Sequence, residues 1–409
     1  MKSKTDASRW IYRILLRLMM RMYWLAMRGA SRLGIRKRPV SIAPLDILLT
    51  GTFHSENWAL SHLRPLAMSK RCRCVRVVSI FPIAGLDKVE FIQPKRWMMR
   101  IFGEVPARLF TFFYVAMRTK PDIVGGFHLL LNGLVAVLVS RLVGSHSIYF
   151  CVGAGPTEVL HTGQTENRLF RRLGERDEVI EKFLLNAVDA FDEVITMGSG
   201  AARFFQENGI ARPCHIMPGG IDAQQFSPSN IAHQNDLVFV GRLVPVKRID
   251  LFLQVVRCVK TTLPNVSAII VGDGPLRETL ELMAKEADLD ENVSFIGYRG
   301  DVEEILKRTK IFVLTSDSEG LALSLMEAMM CGVPGIVSRV GDLADLVEDG
   351  VNGYLVDQRT PDAFAARIIS LLNDPERRLR FGNAARQAAL KFDVASATKR
   401  WDRLLEFTA

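Results

Sequence analysis

Two stretches of this 409-residue chain carry side chains that can hold a charged ligand. In GRLVPVKRIDLF (241–252) an apolar run ends at Gly241, Arg242 follows at once, and Lys247 precedes a helical pattern opening near Ile249. A guanidinium fork and an ammonium at a strand-to-helix turn form an anion site with reach enough for a diphosphate. In SDSEGLALSLMEAMMCGVP (316–334) Glu319 sits in a loop feeding a helix, and Glu327 follows eight positions later. Two helical turns place such carboxylates about 12 Å apart, roughly the span of a nucleotide sugar from hexose ring to ribose. One can accept from sugar hydroxyls while the other holds ribose hydroxyls. Backbone N–H groups beside Gly320, Leu321 and Ala322, at the helix N-terminus, suit the phosphates between them. Glu327 stands among Leu325, Met326, Ala328 and Met329, so its carboxylate needs a partner.

Elements that position these residues are legible as short apolar runs alternating with helical patterns. The first series is 46–51, 76–81, 122–127, 147–153, 193–198 and 214–220; the second is 236–241, 267–274, 293–297, 311–316, 334–338 and 353–356. Near-continuous apolar strands separated by amphipathic helices mean βαβ units and parallel sheets. Two such series predict an α/β chain of two doubly wound, Rossmann-like domains. Ligands bind beyond the carboxyl ends of such strands. That places Gly241-Arg242, Gly272-Asp273-Gly274, Gly297-Tyr298-Arg299 and Ser316 to Gly320 on one edge of the second domain. The expected division is 1–40 as a basic arm, 41–222 and 223–390 as the two Rossmann-like domains, and 391–409 as a closing helix.

These residues carry a family resemblance. Residues 236–357 resemble the donor domain of glycosyltransferase family 4, the retaining sugar transferases of the GT-B fold. The matching features are Gly241-Arg242 with Lys247, VGDGP (271–275), FIG (295–297), the Glu319/Glu327 pair with Gly332-Val333-Pro334, and VEDGVNGYLV (347–356). IMPGGIDAQQFSP (216–228) and FDVASATKRWDRLL (392–405) are similar to the family's link and return helix. The resemblance implies a GT-B fold with its two domains facing a cleft, and a nucleotide-diphosphate sugar as co-substrate. It implies that Arg242 and Lys247 bind the pyrophosphate, with Gly272, Asp273, Gly320 and Leu321 in the donor loops. Glu319 would contact the transferred sugar, Glu327 the ribose, and the loop at Tyr298-Arg299 the base. The family usually works without a divalent metal, so no metal site and no cofactor are expected.

The first domain resembles the family loosely. TGTFHSEN (50–57) has Gly51 but lacks the Gly-Gly usual after the first strand. His128, in GGFHLLLNG, stands where the family places a histidine near the transferred sugar, whereas SIYFCVG ends in Cys151 rather than a second histidine. His128 is the leading acceptor-side candidate, with His54 and Glu158 behind it.

The net charge of +9 belongs to the arm: residues 1–40 hold eleven Lys/Arg against one acid, and 41–409 hold 42 basic and 43 acidic residues. The body thus lacks the basic footprint of a nucleic-acid-binding protein. Six scattered cysteines without a CxxC read as reduced thiols. In 10–27, Arg13, Arg17 and Arg21 would each cost about 2.5–3.5 kcal/mol at a bilayer centre. Arg9, Arg13, Arg17 and Arg21 advance by about 40° per step on a helix, with Trp24 and other apolar residues filling the rest. This pattern predicts an amphipathic helix in the plane of an anionic membrane surface, its arginines toward headgroups. A spanning helix, and a helix packed on another protein or on the chain's own body, are the alternatives; a clean secretory signal is absent. Residues 94–120 mix aromatics with Lys95, Arg96, Arg100, Arg108 and Arg118, which suits either a membrane interface or a core with a solvated face.

The expected function is transfer of a hexose to a lipid-linked glycan or glycolipid acceptor at the cytoplasmic face of the inner membrane, in cell-envelope polysaccharide synthesis. A soluble acceptor, and a membrane-recruited scaffold without activity, are the competing readings.

Overall fold

The computed structural model describes residues 2–407 except 34, 36, 38–42, 54, 82–84, 163–167 and 230. The chain divides into two units, residues 1–220 with 395–409, and residues 221–394.

In the first unit, β1 (Leu45–Thr50), β2 (Cys72–Val78), β3 (Val89–Ile92), β4 (Ile123–Phe127), β5 (His146–Cys151), β6 (Glu193–Thr196) and β7 (Cys214–Ile216) form a parallel sheet. Their order is β3-β2-β1-β4-β5-β6-β7. The strand pattern anticipates all of these but β3. VEFI pairs only with β2, at the sheet edge, and none of its residues is fully buried. An edge strand open to solvent on one side carries no continuous apolar run to read.

In the second unit, β8 (Asn235–Val240), β9 (Ala268–Val271), β10 (Val293–Gly297), β11 (Thr309–Leu314), β12 (Gly335–Ser338) and β13 (Gly353–Val356) form another parallel sheet. Its order is β10-β9-β8-β11-β12-β13. Crossover helices cover it with one apolar stripe each. The helix Ile249–Thr262 buries Phe252, Val255, Val256 and Val259, a spacing of three and four that faces one side. In both sheets the strand order reverses once, between β1 and β4 and between β8 and β11. Loops leave a doubly wound sheet in opposite directions there, opening the crevice where ligands bind.

The C-terminal helix Val394–Phe407 returns to the first unit, where Trp401, Leu404 and Leu405 join the core that Leu49, Phe127 and Phe150 also build. No helix among the described residues is long and apolar enough to cross a membrane.

The N-terminal helix α1 (Lys2–Arg32) lies against the first unit, and this corrects the expected orientation of its arginines. Arg13 and Arg17 turn inward to Asp177, at 3.1 and 3.0 Å, and Arg13 also reaches Glu175. Asp177 is buried and caps the helix Glu178–Asp189, so its carboxylate attracts both guanidinium groups while bonding that helix's first N–H groups. Leu16, Met20 and Met27 are buried beside them, and Trp24 packs edge-on against Tyr23 and Phe183 instead of facing outward. The face left in solvent holds Trp10, Ile11, Leu18, Met22 and Leu25, together with Arg9 and Arg21.

Candidate functional site

Lys247 closes a single turn, Pro245–Lys247, between β8 and the helix Ile249–Thr262. Its ammonium lies 2.7 Å from both carboxylate oxygens of Glu319, in the loop that follows β11. The two residues called for donor chemistry thus meet across the reversal point of the second sheet. Neighbouring contacts bind the two loops together. Thr315 donates its hydroxyl to the Arg248 carbonyl at 2.8 Å, and the Asp317 N–H donates to the Val246 carbonyl at 2.8 Å. Asp317 also takes ion pairs from Arg248 and Arg359, at 3.3 and 2.7 Å. Ser316 donates its hydroxyl to Glu319. Ser316 and Asp317 lie in the stretch expected at this edge after β11, whereas Arg248 and Arg359 are supports that the sequence does not mark, since nothing in their spacing says which loop they will bridge.

Gly341, after β12, is another. It holds φ +54, and a Cβ there would collide with the Glu319 carbonyl oxygen. Only a glycine lets that backbone run so close under the Glu319 loop.

Glu327 lies on the helix Leu323–Met330 with its side chain buried. No described residue hydrogen-bonds its carboxylate. Burial first, and the nearby Glu303 charge second, push its carboxyl up to about 8. A buried acid without a donor is a site waiting for one, and a vicinal diol supplies two O–H groups. Leu321 and Ala322 are buried at the amino end of the same helix, beside half-buried Gly320.

Gly272, Asp273 and Arg299 follow β9 and β10, as expected. The Gly272 N–H donates to the Gly297 carbonyl at 2.8 Å, tying the two exits. Asp273 lies near Arg277, and Arg299 makes two bonds to Asp301 at 2.8 and 2.7 Å. Tyr298 is exposed, and so is Arg242, directly after β8.

In the first unit His128 follows β4, with its Nδ1 3.0 Å from Glu158. Arg108, expected among the basic-aromatic interface residues, is instead buried. It donates to the Gly51 carbonyl at 2.6 Å, the Thr52 hydroxyl at 2.9 Å and Asn132 Oδ1 at 2.7 Å. It thereby clamps the loops leaving β1 and β4 at the reversal point of the first sheet. Phe112 is core, whereas Trp97, Ile101, Phe110 and Tyr114 are exposed. His54 lies outside the described residues.

Residues 221–388 match the family described as glycosyl transferases group 1. The chain is 28% identical over 296 residues to the GDP-mannose-dependent alpha-(1-6)-phosphatidylinositol monomannoside mannosyltransferase of Mycolicibacterium smegmatis, covering 63% of this chain and 75% of that one. It is 28% identical over 204 residues to the UDP-Gal:alpha-D-GlcNAc-diphosphoundecaprenol alpha-1,3-galactosyltransferase of Escherichia coli, covering 46% of this chain and 52%, about half, of that one. Among solved structures, Anabaena HepE in complex with UDP-glucose superposes with a TM-score of 0.70 at 19% identity, over 89% of this chain and all of its own. That likeness is one of fold, and it bears out the GT-B class.

Proposed function

We propose that this chain, whose residues 221–388 match the glycosyl transferases group 1, moves a hexose, with retention, from a nucleotide-diphosphate sugar to a lipid-linked glycan or glycolipid. The observation that carries this reading is the Lys247–Glu319 contact at the reversal point of the second sheet, with Glu327, whose carboxylate no described residue hydrogen-bonds, eight residues on. As the C1–oxygen bond of the donor breaks, negative charge grows on the leaving diphosphate. Lys247 and Arg242 offset that charge, and the amino end of the helix Leu323–Met330 adds its N–H groups, an arrangement that needs no reorganisation during the reaction. Glu319 holds hydroxyls of the transferred hexose, Glu327 the ribose diol, and the Tyr298-Arg299 loop the base. His128 meets the acceptor side. The scheme takes no metal, because the cationic side chains carry the diphosphate.

The lipid-linked acceptor and the place of action, peripheral on the cytoplasmic face of the membrane, rest on α1. Its outward face joins apolar side chains to Arg21, Arg28 and Arg32, all exposed. Such a surface suits an anionic bilayer, the apolar residues entering the acyl boundary and the arginines the headgroups. Two relatives whose names include phosphatidylinositol and diphosphoundecaprenol support the acceptor class.

The test is a thermal-shift and hydrolysis screen of the purified protein against UDP-, GDP-, ADP- and TDP-sugars, with Lys247→Ala beside it. Stabilisation of the wild type by one nucleotide sugar, absent in Lys247→Ala, is the expected result. No response to any of them would overturn the reading.

A further inference from the structure

Glu158 is a largely buried carboxylate with four hydrogen-bond partners around it. His128 Nδ1 lies at 3.0 Å, the Leu129 N–H at 3.0 Å, the Tyr149 hydroxyl at 2.7 Å and the Gly153 N–H at 3.2 Å. The donors come from the turn after β4 and from β5 and its exit, so one side chain joins two neighbouring strand ends. Burial alone would raise this carboxyl, but the imidazole beside it and the bonds from His128, Tyr149 and Leu129 hold it below the usual carboxylate range. An ionised carboxylate has only lone pairs to offer, so the His128 nitrogen that faces it carries the proton. The backbone is also committed: His128 takes φ +63 and Leu131 φ +61, conformations that non-glycine residues hold only when their surroundings compel them. Meanwhile the imidazole is 38% exposed while the carboxylate is 10% exposed. A largely buried acid thus grips Nδ1 of a partly exposed ring.

We propose that Glu158 is a positioning residue for His128, fixing the Nδ1–H tautomer so that Nε2 is the nitrogen that meets the acceptor or the transferred sugar. The idea deepens the transferase reading and rests on His128 serving at the acceptor side. Carboxylates behind histidines do this wherever a ring must present one chosen nitrogen. Tyr149 and the two N–H groups keep Glu158 ionised and in place.

Two measurements test it. In the full-length protein with 15N-labelled histidine, the His128 signals, assigned by their loss in His128→Gln, should report a proton on Nδ1. Signals of the opposite tautomer would overturn the proposal without any variant or assay. In turnover, Glu158→Gln should lower kcat by about ten- to a hundredfold and mix the tautomers, with the affinity for the nucleoside diphosphate alone unchanged, because the residues proposed to hold the diphosphate and ribose lie in the other unit. Glu158→Asp should recover part of kcat. Wild-type kcat and tautomer in Glu158→Gln, or equal losses in nucleotide affinity and thermal stability, would reduce Glu158 to a structural tie. A wild type that binds no nucleotide sugar would sink the transferase reading instead, and the tautomer result would stand on its own.

Discussion

Lys247 and Glu319, 72 residues apart in the chain, form a two-pronged ion pair with the ammonium 2.7 Å from each carboxylate oxygen. Glu319 is 7% exposed and Lys247 24% exposed, so the pair sits at the mouth of the loops with its acid on the inner side. In the ligand-free protein each residue is the other's partner. Under the proposed roles, a bound donor draws the lysine toward its phosphates while its sugar hydroxyls replace the lost bonds on Glu319.

Removing the lysine should cost both catalysis and stability. Lys247→Ala is expected to lower kcat by about two to three orders of magnitude, the usual loss when one preorganised charge-stabilising donor is taken away. It should also lower Tm, since Glu319 keeps its charge without a counterion. The double variant Lys247→Ala/Glu319→Ala should regain part of the Tm and none of the turnover. A double variant no more stable than Lys247→Ala alone would show that the pair adds nothing to the fold.

Glu327 makes the fold pH-sensitive in a defined direction. Its carboxyl lies near 8 when folded, against 4.5 as the ordinary value, through burial and then the Glu303 charge. Between those values the folded state holds a proton that the unfolded chain has released, so stability falls as pH rises through this window. Glu327→Gln, which cannot ionise, should gain Tm relative to wild type from pH 5 to pH 8. An equal Tm difference at both ends of that range contradicts the assignment. Donor hydroxyls favour the ionised form, so nucleotide-sugar binding near pH 7 should release protons, measurable by calorimetry in buffers of differing ionisation enthalpy.

Gly341 is expected to matter through Glu319 alone. Gly341→Ala places a methyl group against the Glu319 carbonyl oxygen at a φ of +54, and should cost about 1–3 kcal/mol of stability with a loss of donor affinity. Gly350, at φ +77 with nothing within 4 Å of its would-be Cβ, supplies the control. Gly350→Ala should lower Tm slightly and leave affinity intact. Equal affinities in the two variants, by titration calorimetry, would detach Gly341 from the site.

Arg108 should prove intolerant of substitution. It is 2% exposed and bonds acceptors on both loops at the first reversal point. Arg108→Met leaves the Gly51 carbonyl and Asn132 without their donor, at about 1–3 kcal/mol for each buried group left unsatisfied. Arg108→Lys should rescue little, because one ammonium cannot span the positions a planar fork reaches. Urea unfolding of the three proteins measures this; a lysine variant as stable as wild type would refute the clamp.

The outward face of α1 makes a separate prediction. Leu18→Asp and Leu25→Asp should each weaken co-sedimentation with anionic vesicles while leaving Tm unchanged, since both side chains are exposed. Asp177→Ala should do the reverse, lowering Tm through the docked arginines. Full vesicle binding by the aspartate variants would move the membrane contact away from this helix.

Much of this protein was legible in its sequence because the signals were local. Apolar strand runs, helix stripes and the polar residues just after each run lie within short windows, so twelve strands and the polar side chains Arg242, Lys247, Glu319 and Glu327 near their exits could be read in order. What only the tertiary structure decided was partnership. The edge strand β3 is a strand because β2 lies beside it. Arg13 and Arg17 point inward because a buried Asp177 awaits them some 160 residues away. Arg108 is a clamp and Glu158 a brace only because β1, β4 and β5 run side by side. A charged side chain reads as solvated until a long-range contact supplies its counter-group. That choice turns on desolvation and distance, which linear spacing does not contain.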